Sequence, residues 1–410
     1  MNSLADSDHR YLWHPFTQMK DWMAEEPIII ASAEGTVLRD TAGREYLDAN
    51  SSIWTNLHGH RHPKITAAIK EQLDLIAHSS FLGLSNVPAI ELAKQLCKLT
   101  KLDRVFYSDD GSTAVEVAIK MALQYWQHRG QRQRTKFVAF ADAYHGDTLG
   151  AVSVGGIDLF HATFKPLLFD VIRVSRVSDL PSGDDVAAVV IEPLIQGAAG
   201  MRLWPRGMLR ELRQWCDRSG ALLIADEVMT GFGRTGTMFA CEQEGVCPDL
   251  MAVAKGLTGG YLPLAATLTT AEIFNAFLGD YSEFKTFFHG HSYTGNQLGC
   301  AAALANLQVF GEEKTLEKLA VLSAQLSAGL QQCGSGADVR CLGMIGAVEI
   351  GPYPLEARMG IKVCTEMRKR GVLTRPIGNV IVLMPPYCVT REQLERMLQV
   401  LYDSSHTVCG

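Results

Sequence analysis

The segment Ala221-Leu-Leu-Ile-Ala-Asp226-Glu227-Val228 decides the fold class, because a short apolar run ends directly in two acidic residues. An apolar run of this length without polar alternation predicts a buried strand of a parallel sheet. A carboxylate at the end of such a strand costs free energy unless it has a partner. We therefore expect a strand over Ala221–Glu227 with Asp226 facing a binding site. The simpler alternative for Asp226 is a helix cap or a loop hydrogen bond.

Similar strands alternate with helical segments along the middle of the chain. Further strands are predicted at Val105–Tyr107, Lys136–Phe140, Val186–Glu192 and in the short apolar run before Lys255. Apolar residues recur every three or four positions in Ser112–Trp126, and Met208–Arg218 is also expected to be helical. This alternation predicts an α/β fold whose mostly parallel sheet is covered on both faces. Such sheets bind ligands beyond the carboxyl ends of their strands.

The two ends of the chain predict a second, smaller α+β domain. We expect one long helix over Gly299–Cys333, strands around Met344–Ile350 and Val380–Met384, and a helix over Arg391–Tyr402. The predicted division is a segment at 1–60 that packs with the small domain, a large ligand-binding domain at 61–305 and a C-terminal small domain at 306–410.

Composition excludes several classes of protein. Of the 410 residues, 47% are hydrophobic and 20% charged, which is typical of a globular protein. The net charge of −6 gives no electrostatic footprint for nucleic acid or an anionic membrane. The first ten residues lack the basic and then apolar pattern of a secretory signal, and no apolar run is long enough to span a membrane. The ten cysteines form no C-x-x-C pair, so we expect reduced thiols in a cytoplasmic protein.

Two candidate sites follow predicted strands in the first half of the chain. Gly111 and Ser112 lie where a strand gives way to a long helix, and the free N–H groups there favour an anion such as phosphate. The alternative is that Ser112 only caps the helix. Tyr144, after the strand Lys136–Phe140, could stack on a planar ring or simply pack in the core.

A third candidate is Lys255, which directly follows a short apolar strand and precedes Gly256. Burial lowers the pKa of a lysine and favours covalent chemistry with a carbonyl, although any single lysine is more often a surface residue. Together with Asp226, these residues would supply an amine, a partner for a ring nitrogen, a stacking ring and a phosphate site. That set fits pyridoxal phosphate.

Two other patterns predict different cofactors, and we reject both. Gly231-Phe-Gly233-Arg234-Thr-Gly236 matches G-x-G-x-x-G, but the segment Asp226-Glu227-Val228 lies between the apolar run and the glycines. No clear helical opening follows the glycines, so a nicotinamide site is not expected. These glycines are expected to shape a loop that presents Arg234. His58-Gly-His60-Arg-His62 and His289-Gly-His291 contain glycine and have no accompanying acids at useful positions, so we expect loop histidines and no metal site.

A series of longer motifs resembles the class III pyridoxal-phosphate aminotransferases, which have fold type I, over nearly the whole chain. The series is Val190-Ile-Glu192-Pro-Leu-Ile-Gln-Gly, Leu223-Ile-Ala-Asp226-Glu227-Val, Gly231-Phe-Gly-Arg234-Thr-Gly, Pro248-Asp-Leu and Ala254-Lys255-Gly. Three further segments narrow the resemblance to one group of enzymes within the family. They are Trp13-His14-Pro15-Phe16-Thr17-Gln18-Met19, the predicted helix at 112–126 and Leu383-Met-Pro-Pro-Tyr387. They are similar to members of the family that aminate 8-amino-7-oxononanoate to 7,8-diaminononanoate in biotin biosynthesis, with S-adenosylmethionine as the expected donor.

The resemblance implies a role for each candidate. Lys255 would bind the cofactor aldehyde and move the substrate proton, and Asp226 would hold the pyridine nitrogen protonated. Gly111 and Ser112 would bind the cofactor phosphate. Tyr144 would stack on the ring and face the substrate.

The resemblance further implies a homodimer whose active sites are shared across the interface. Gly290 would contact substrate, and His291 and Ser292 would reach the partner's phosphate. Arg375 would anchor the carboxylate of the keto acid.

Three positions depart from the pattern of the family, and the first two bear on the substrate. Phe16 stands where a tyrosine is usual, and Ile53-Trp54 stands in place of a tryptophan pair, which leaves lysine open as another donor. The third is His291-Ser292, where a proline–threonine pair is common and where serine preserves the hydroxyl. Ala198 follows Gln196-Gly197 where relatives acting on ornithine or 4-aminobutyrate carry a glutamate. The alternatives are another class III aminotransferase acting on a diamine or ω-amino acid, and a binding protein on the same fold without a cofactor.

Overall fold

A computed structural model describes residues 3–333 and 338–410 of the chain. Its strands, in chain order, are β1 (Ile30–Glu34), β2 (Val37–Asp40), β3 (Glu45–Asp48), β4 (Arg104–Ser108), β5 (Lys136–Phe140), β6 (Val171–Val174), β7 (Val186–Ile191), β8 (Ile195–Gln196), β9 (Arg202–Leu203), β10 (Leu222–Asp226), β11 (Leu250–Val253), β12 (Ala265–Thr269), β13 (Asp338–Leu342), β14 (Ile345–Glu349), β15 (Val372–Leu373), β16 (Pro376–Ile377) and β17 (Val380–Leu383).

The helices follow the same order. They are α1 (Leu4–Tyr11), α2 (Met19–Trp22), α3 (Ser51–Trp54), α4 (Pro63–Leu75), α5 (Val87–Thr100), α6 (Gly111–His128), α7 (Leu149–Val154), α8 (Asp158–His161), α9 (Met208–Ser219), α10 (Ala271–Asn275), α11 (Gln297–Glu312), α12 (Thr315–Cys333), α13 (Met359–Lys369) and α14 (Arg391–Cys409). None of the helices in the described ranges combines the length and the apolar character that crossing a membrane needs.

The central sheet has seven strands in the order β4-β12-β11-β10-β7-β5-β6. Six strands run in one direction, and β12 runs against both of its neighbours. The carboxyl ends of β4, β5, β7, β10 and β11 therefore lie along one edge of the sheet. We call this edge the site edge.

Both faces of this sheet are covered, as its continuous apolar strands require. Successive residues of a strand point to opposite faces. Leu222 and Ile224 of β10 accordingly pack in one cluster with α6, and Leu223 and Ala225 pack in another with α9. The predicted α/β class with a mostly parallel sheet is confirmed.

Two four-stranded sheets lie outside the central one. The sheet β1-β2-β3-β15 joins the N-terminal part of the chain to the C-terminal part, because β15 pairs in parallel with β3. The sheet β13-β14-β17-β16 is antiparallel. These sheets, with α12, α13 and α14, form the smaller α+β part. The division at residues 60 and 305 stays a prediction.

One helix prediction is wrong in its extent. The segment Gly299–Cys333 forms two helices, because the backbone of Lys314 is left-handed with a φ of 49°. A residue with an L side chain in that conformation cannot continue a right-handed helix. The C-terminal helix also continues past Tyr402 to Cys409.

Candidate active site

Asp226 is the last residue of β10, and its carboxylate is buried at the site edge. Nδ1 of His145 lies 2.7 Å from Oδ2 of Asp226, and the N–H of Val228 donates to Oδ1 at 3.1 Å. Both side chains of the pair are buried. Burial opposes the charge on His145, but the hydrogen bond and charge of Asp226 outweigh it, so the pKa of His145 is raised. The strand end thus carries a hydrogen-bonded imidazole–carboxylate pair.

Lys255 follows β11, the strand beside β10, so its amine lies near the same carboxylate. Ala252 of β11 is in register with Asp226. Burial lowers the pKa of Lys255. The nearby Asp226 and Glu192 act to raise it, but burial is the larger effect. The backbone of Lys255 is left-handed, with a φ of 39°, which is costly for a lysine and is found most often at functional sites. Its Nζ lies 4.7 Å from the centroid of the Trp54 ring.

Glu192 is a second buried acid at this edge, one residue beyond β7. Its carboxylate accepts from the N–H of Tyr144 at 3.1 Å and from the N–H of Gly197 at 2.8 Å. Burial raises the pKa of Glu192 to about 7 despite these hydrogen bonds, and the nearby charge of Asp226 acts in the same direction. Glu192 therefore fixes the segment that carries Tyr144.

The N-terminus of α6 faces the same edge, after β4. The cap is Asp110, which accepts from the N–H of Thr113, so the alternative that Ser112 caps the helix is wrong. The hydroxyl of Ser112 instead lies 2.8 Å from that of Thr148 and accepts from the N–H of Thr148. A Cβ on Gly111 would lie 2.5 Å from Val228. This close approach requires glycine where the helix starts.

A cavity of about 360 Å³ joins the helix terminus to the lysine. Gly111, Lys255, Thr258 and Tyr261 are among the residues that line it. It could hold a group with an anionic end at α6 and a carbonyl at the amine.

Tyr144 lies beside this cluster among other aromatic side chains. Its hydroxyl donates to Asp147 at 2.8 Å, and burial together with this bond raises its pKa. The Tyr144 ring is stacked on His161 at 6.2 Å and meets Phe160 edge-on. Phe160 also meets Phe16 edge-on, with centroids 5.4 Å apart, so the two predicted substrate residues are joined through Phe160.

Ile53 and Trp54 lie on a strained turn. All four residues of α3, Ser51 to Trp54, have left-handed backbones with φ between 47° and 67°. Asp48 secures this turn by accepting from the N–H and hydroxyl of Ser52 at 3.1 and 2.9 Å. The indole of Trp54 donates to Asn50 at 2.9 Å. Held in this way, the Trp54 ring lies over the amine of Lys255, whereas the side chain of Ile53 is exposed.

The remaining predicted residues lie farther from the sheet. The guanidinium of Arg375 donates to the carbonyl of Phe16 at 2.7 Å. Nδ1 of His291 lies 3.3 Å from the carboxylate of Asp109 in the same chain, and His78 donates to the carbonyl of Ser292 at 2.7 Å. Gly290 precedes them on the same loop. The predicted contacts of this loop with a partner subunit stay a prediction.

The rejected nucleotide motif forms a loop, as expected, but Arg234 is fully buried. It donates to the carbonyls of Pro385 and Asn56 at 3.0 and 2.9 Å and lies over the ring of Tyr387. Arg234 thus ties the loop 231–236 to the turn that carries Trp54. Within residues 3–333 and 338–410, no group of three or more His, Cys, Asp or Glu side chains could hold a metal ion.

Sequence reasoning missed His145 and Glu192 as members of the site. The signal for Glu192 was present, since it ends an apolar strand in the way Asp226 does. His145 stands directly after Tyr144, but nothing in a single sequence reveals that its ring turns toward Asp226.

Comparison with known proteins agrees with this geometry. The family model "Aminotransferase class-III" matches residues 19–404. The adenosylmethionine-8-amino-7-oxononanoate aminotransferase of Geobacter sulfurreducens is 48% identical over 100% of this chain and 98% of its own length. That of Nitratidesulfovibrio vulgaris is 51% identical over 99% of this chain and 81% of its own.

Two solved structures also superpose closely on this chain. The crystal structure of the enzyme of the same name from Methanocaldococcus jannaschii superposes with a TM-score of 0.96 at 43% identity, over 99% of each chain. An amine transaminase from an uncultivated Pseudomonas species, solved in its PLP-bound form, gives a TM-score of 0.91 at 33% identity over 98% of this chain and 99% of its own. This chain belongs to the class III aminotransferase family.

Proposed function

We propose that the protein is the pyridoxal-phosphate-dependent enzyme that transfers an amino group from S-adenosylmethionine to 8-amino-7-oxononanoate, giving 7,8-diaminononanoate in biotin biosynthesis. The observation that carries the proposal is the desolvated amine of Lys255 beside the buried carboxylate of Asp226. The choice of substrates rests on the similar aminotransferases of Geobacter sulfurreducens and Nitratidesulfovibrio vulgaris, which are named for adenosylmethionine and 8-amino-7-oxononanoate.

The residues of the site edge fit the cofactor. Asp226 would hold the protonated ring nitrogen, because its carboxylate is buried and already oriented by His145. Gly111 and Ser112 would hold the phosphate at the start of α6, where free N–H groups favour anions. Tyr144 would cover one face of the ring. When bound, pyridoxal phosphate supplies an electron-withdrawing ring that stabilises negative charge on the substrate carbon.

Lys255 is the residue suited to move the proton. Its lowered pKa leaves a larger fraction of the amine neutral near pH 7, and only a neutral amine can accept a proton from carbon. Trp54, 4.7 Å from Nζ, excludes water from one side of the amine.

The substrate side is formed by the segments outside the central sheet. Arg375 would pair with the substrate carboxylate, and Phe16, Ile53, Trp54, Tyr144 and Gly290 would enclose its aliphatic part. A long, mostly apolar acid fits a site with one cation and several aromatic walls.

A homodimer in the cytoplasm completes the proposal. Large apolar side chains are exposed on two segments of the surface, including Leu82 at 81%, Phe288 at 74% and Tyr293 at 59% exposed. The rings of His78, beside the first segment, and Tyr293, on the second, have centroids 4.7 Å apart, and neighbouring exposed apolar groups mark an interface. His291 and Ser292 lie on one of these segments and would reach the partner's phosphate site.

Two measurements test the proposal on the purified full chain supplied with pyridoxal phosphate. Borohydride reduction followed by peptide mass spectrometry should place the cofactor on Lys255. Mass spectrometry should then find 7,8-diaminononanoate when 8-amino-7-oxononanoate is mixed with S-adenosylmethionine, with lysine, diamines and ω-amino acids as other donors. A chain that is labelled at Lys255 but forms no diaminononanoate with any donor would contradict the substrate, and an unlabelled chain would contradict the chemistry.

A further inference from the structure

One side chain of α11 differs from its apolar surroundings and has no role in the active site as described so far. Asn306 is 0% exposed, and its helix neighbours Ala302, Ala303 and Ala305 are buried as well. A buried amide costs free energy unless its polar atoms have partners. Asparagine is also less favourable than alanine in the interior of a helix. The presence of Asn306 at this position therefore needs an explanation beyond packing.

The amide of Asn306 binds the turn that carries Lys255. Its Nδ2 donates to the carbonyl of Gly256 at 2.9 Å and to the carbonyl of Leu257 at 3.0 Å. Because both of these neighbours are carbonyl oxygens, the NH2 end of the amide has to face them. The two carbonyls belong to the two residues that directly follow the lysine. A helix outside the central sheet is thus bonded to the backbone beside the reactive amine.

This turn is strained at the lysine itself. Lys255 has a left-handed backbone with a φ of 39°, and the N–H of Leu257 donates to the carbonyl of Ala254 at 2.8 Å, which closes the turn around it. A left-handed backbone is costly for a residue with a side chain and persists only where the surrounding structure holds it. The hydrogen bonds from Asn306 are such a constraint, because they fix the peptide groups that follow Gly256 and Leu257.

Apolar burial places this turn but does not orient its peptide groups. Leu257 belongs to the same buried apolar cluster as Ala303 and Leu307 of α11. Burial of apolar surface has no preferred direction. Two hydrogen bonds to consecutive carbonyls do have a direction, so they determine how the peptide groups are rotated. The amide therefore supplies a constraint on the turn that the apolar neighbours cannot supply.

The other end of the amide lies against a glycine of the same turn. Oδ1 of Asn306 has no hydrogen-bond partner, and a Cβ on Gly259 would lie 2.8 Å from it. Gly259, whose φ is 65°, donates its N–H to the carbonyl of Gly256 at 3.0 Å. One acceptor of a buried amide stays unpaired here, which is unfavourable on its own. Departures of this kind from the rules for a stable core are expected at functional sites.

We propose that Asn306 is a positioning residue for Lys255, which it holds in the orientation that brings the amine to the cofactor and to the substrate proton. The inference rests on the proposed function, since it concerns the proton moved by that lysine. Asn306 acts through the backbone of Gly256 and Leu257, which keeps Lys255 left-handed and its amine near Asp226. A misplacement of about 1 Å in a catalytic group can lower the rate about a hundredfold.

The test compares Asn306→Leu with the unaltered chain, both loaded with pyridoxal phosphate. The exchange keeps the branched shape of the side chain and adds no charge, but it removes both N–H donors. We expect kcat for diaminononanoate formation to fall about 10- to 100-fold, with little change in KM because the substrate-binding segments are unaltered. Thr100→Val is the matched control, since Thr100 of α5 is also buried and its hydroxyl donates to the carbonyl of Leu96 at 2.8 Å. It should lower the free energy of unfolding and leave kcat unchanged.

A second measurement follows the lysine nitrogen without any substrate. The visible absorption of the cofactor bound to Lys255 is recorded as a function of pH, and the midpoint of its change reports when that nitrogen loses its proton. In Asn306→Leu this midpoint should rise by about half a pH unit or more, because a looser turn admits water, which stabilises the charged form. The charged groups around the amine, Asp226, Glu192 and Arg234, are the same in both chains.

Gly259→Ala disturbs the same contact from the other side and serves if Asn306→Leu does not fold. Gly245→Ala is its matched control, because both glycines follow a short 3-10 turn and have φ near 65°, but a Cβ on Gly245 would meet nothing within 4 Å. The backbone strain added by the two substitutions is therefore similar. Only Gly259→Ala should lower kcat and raise the midpoint.

The possible outcomes separate this inference from the proposed function. An unaltered chain that borohydride does not label at Lys255 would overturn both. A labelled chain whose kcat and midpoint are the same in Asn306→Leu would overturn the role of Asn306 alone, whatever the change in stability. Equal effects of Gly259→Ala and Gly245→Ala, or of Asn306→Leu and Thr100→Val, would do the same.

Discussion

Lys255 and Asp226 are positioned by adjacent strands of the central sheet, whereas Phe16, Ile53 and Arg375 lie on segments outside it. The first pair is held by strand register and by a buried imidazole. The second group lies at the surface, where Phe16 is 55% exposed and Ile53 46% exposed. Phe16 and Ile53 both have left-handed backbones.

This difference separates reaction chemistry from substrate recognition. Changes at the sheet edge remove groups that act on the reacting atoms or leave buried charges unpaired, so they should lower kcat or stability. Changes on the outer segments should act mainly through KM, because in the proposed function those side chains would contact only parts of the substrate that do not react. Single substitutions in each region can test that separation.

Lys255→Ala should have the largest effect. Removal of the amine that is proposed to move the substrate proton should lower kcat by about 10³-fold or more, as loss of general acid–base catalysis predicts. Steady-state assays of diaminononanoate formation measure this directly. Lys165→Ala removes an exposed lysine that pairs with Asp158 and should leave kcat unchanged. A Lys255→Ala enzyme that keeps a tenth of the activity would mean that another base moves the proton.

Arg375→Ala should raise KM for the keto acid by about 10- to 100-fold with a smaller change in kcat, because one charged hydrogen bond to the carboxylate is lost. Arg375→Lys should be intermediate, since lysine keeps the charge but cannot bind both oxygens side by side. Arg218→Ala, on α9, serves as the control. If kcat falls and KM does not change, the bond from Arg375 to the carbonyl of Phe16 is the important one, and the separation of roles fails.

Glu192→Gln should change how stability depends on pH. The folded chain keeps the Glu192 proton up to about pH 7, whereas the unfolded chain releases it near the ordinary value of 4.5. The folded state therefore binds more protons in this window, and the free energy of unfolding falls as the pH rises through it. Urea unfolding of the unaltered chain at about pH 5 and pH 7.5 should show this fall in the free energy of unfolding. In Glu192→Gln the fall between the two pH values should be smaller by about 2 kcal/mol.

Glu366→Gln is the matched control for this experiment. Its bonds to Lys369 and Arg370 lower the pKa of Glu366, so its contribution is lost only as the pH falls below the ordinary value of 4.5. The fall between pH 5 and pH 7.5 should be unaltered in this variant. An equal effect of both variants would mean that Glu192 does not hold its proton in the folded state.

The sequence predicts the sheet edge well because few physical rules determine it. A buried strand is a run of apolar residues, and the residue after it must lie at the sheet edge. The strand Lys136–Phe140 was predicted at its observed bounds, and β10 to within one residue at each end. The order of the strands and the reversed direction of β12 could not be predicted, because they depend on contacts distant in sequence.

The outer segments could be predicted only through resemblance. Nothing in Ser51-Ser52-Ile53-Trp54 indicates a left-handed turn, since that turn depends on Asp48 and on a hydrogen bond from Ser51 to the carbonyl of Met384. Lys314 breaks the long predicted helix for a similar reason, because its left-handed backbone has no signature in the apolar periodicity.

Phe16→Tyr should have the smallest effect and tests the outer segments most directly. The added hydroxyl restores a hydrogen-bonding group at the position where the family usually has one, and one such bond should lower KM for the amino donor about fivefold. Because Phe16 meets Phe160 and not Lys255, kcat should stay the same. Phe164→Tyr, which adds the same hydroxyl to another exposed ring nearby, is the control. A change in kcat for Phe16→Tyr would show that this outer ring affects the reacting atoms, and substrate recognition could then not be separated from chemistry in this site.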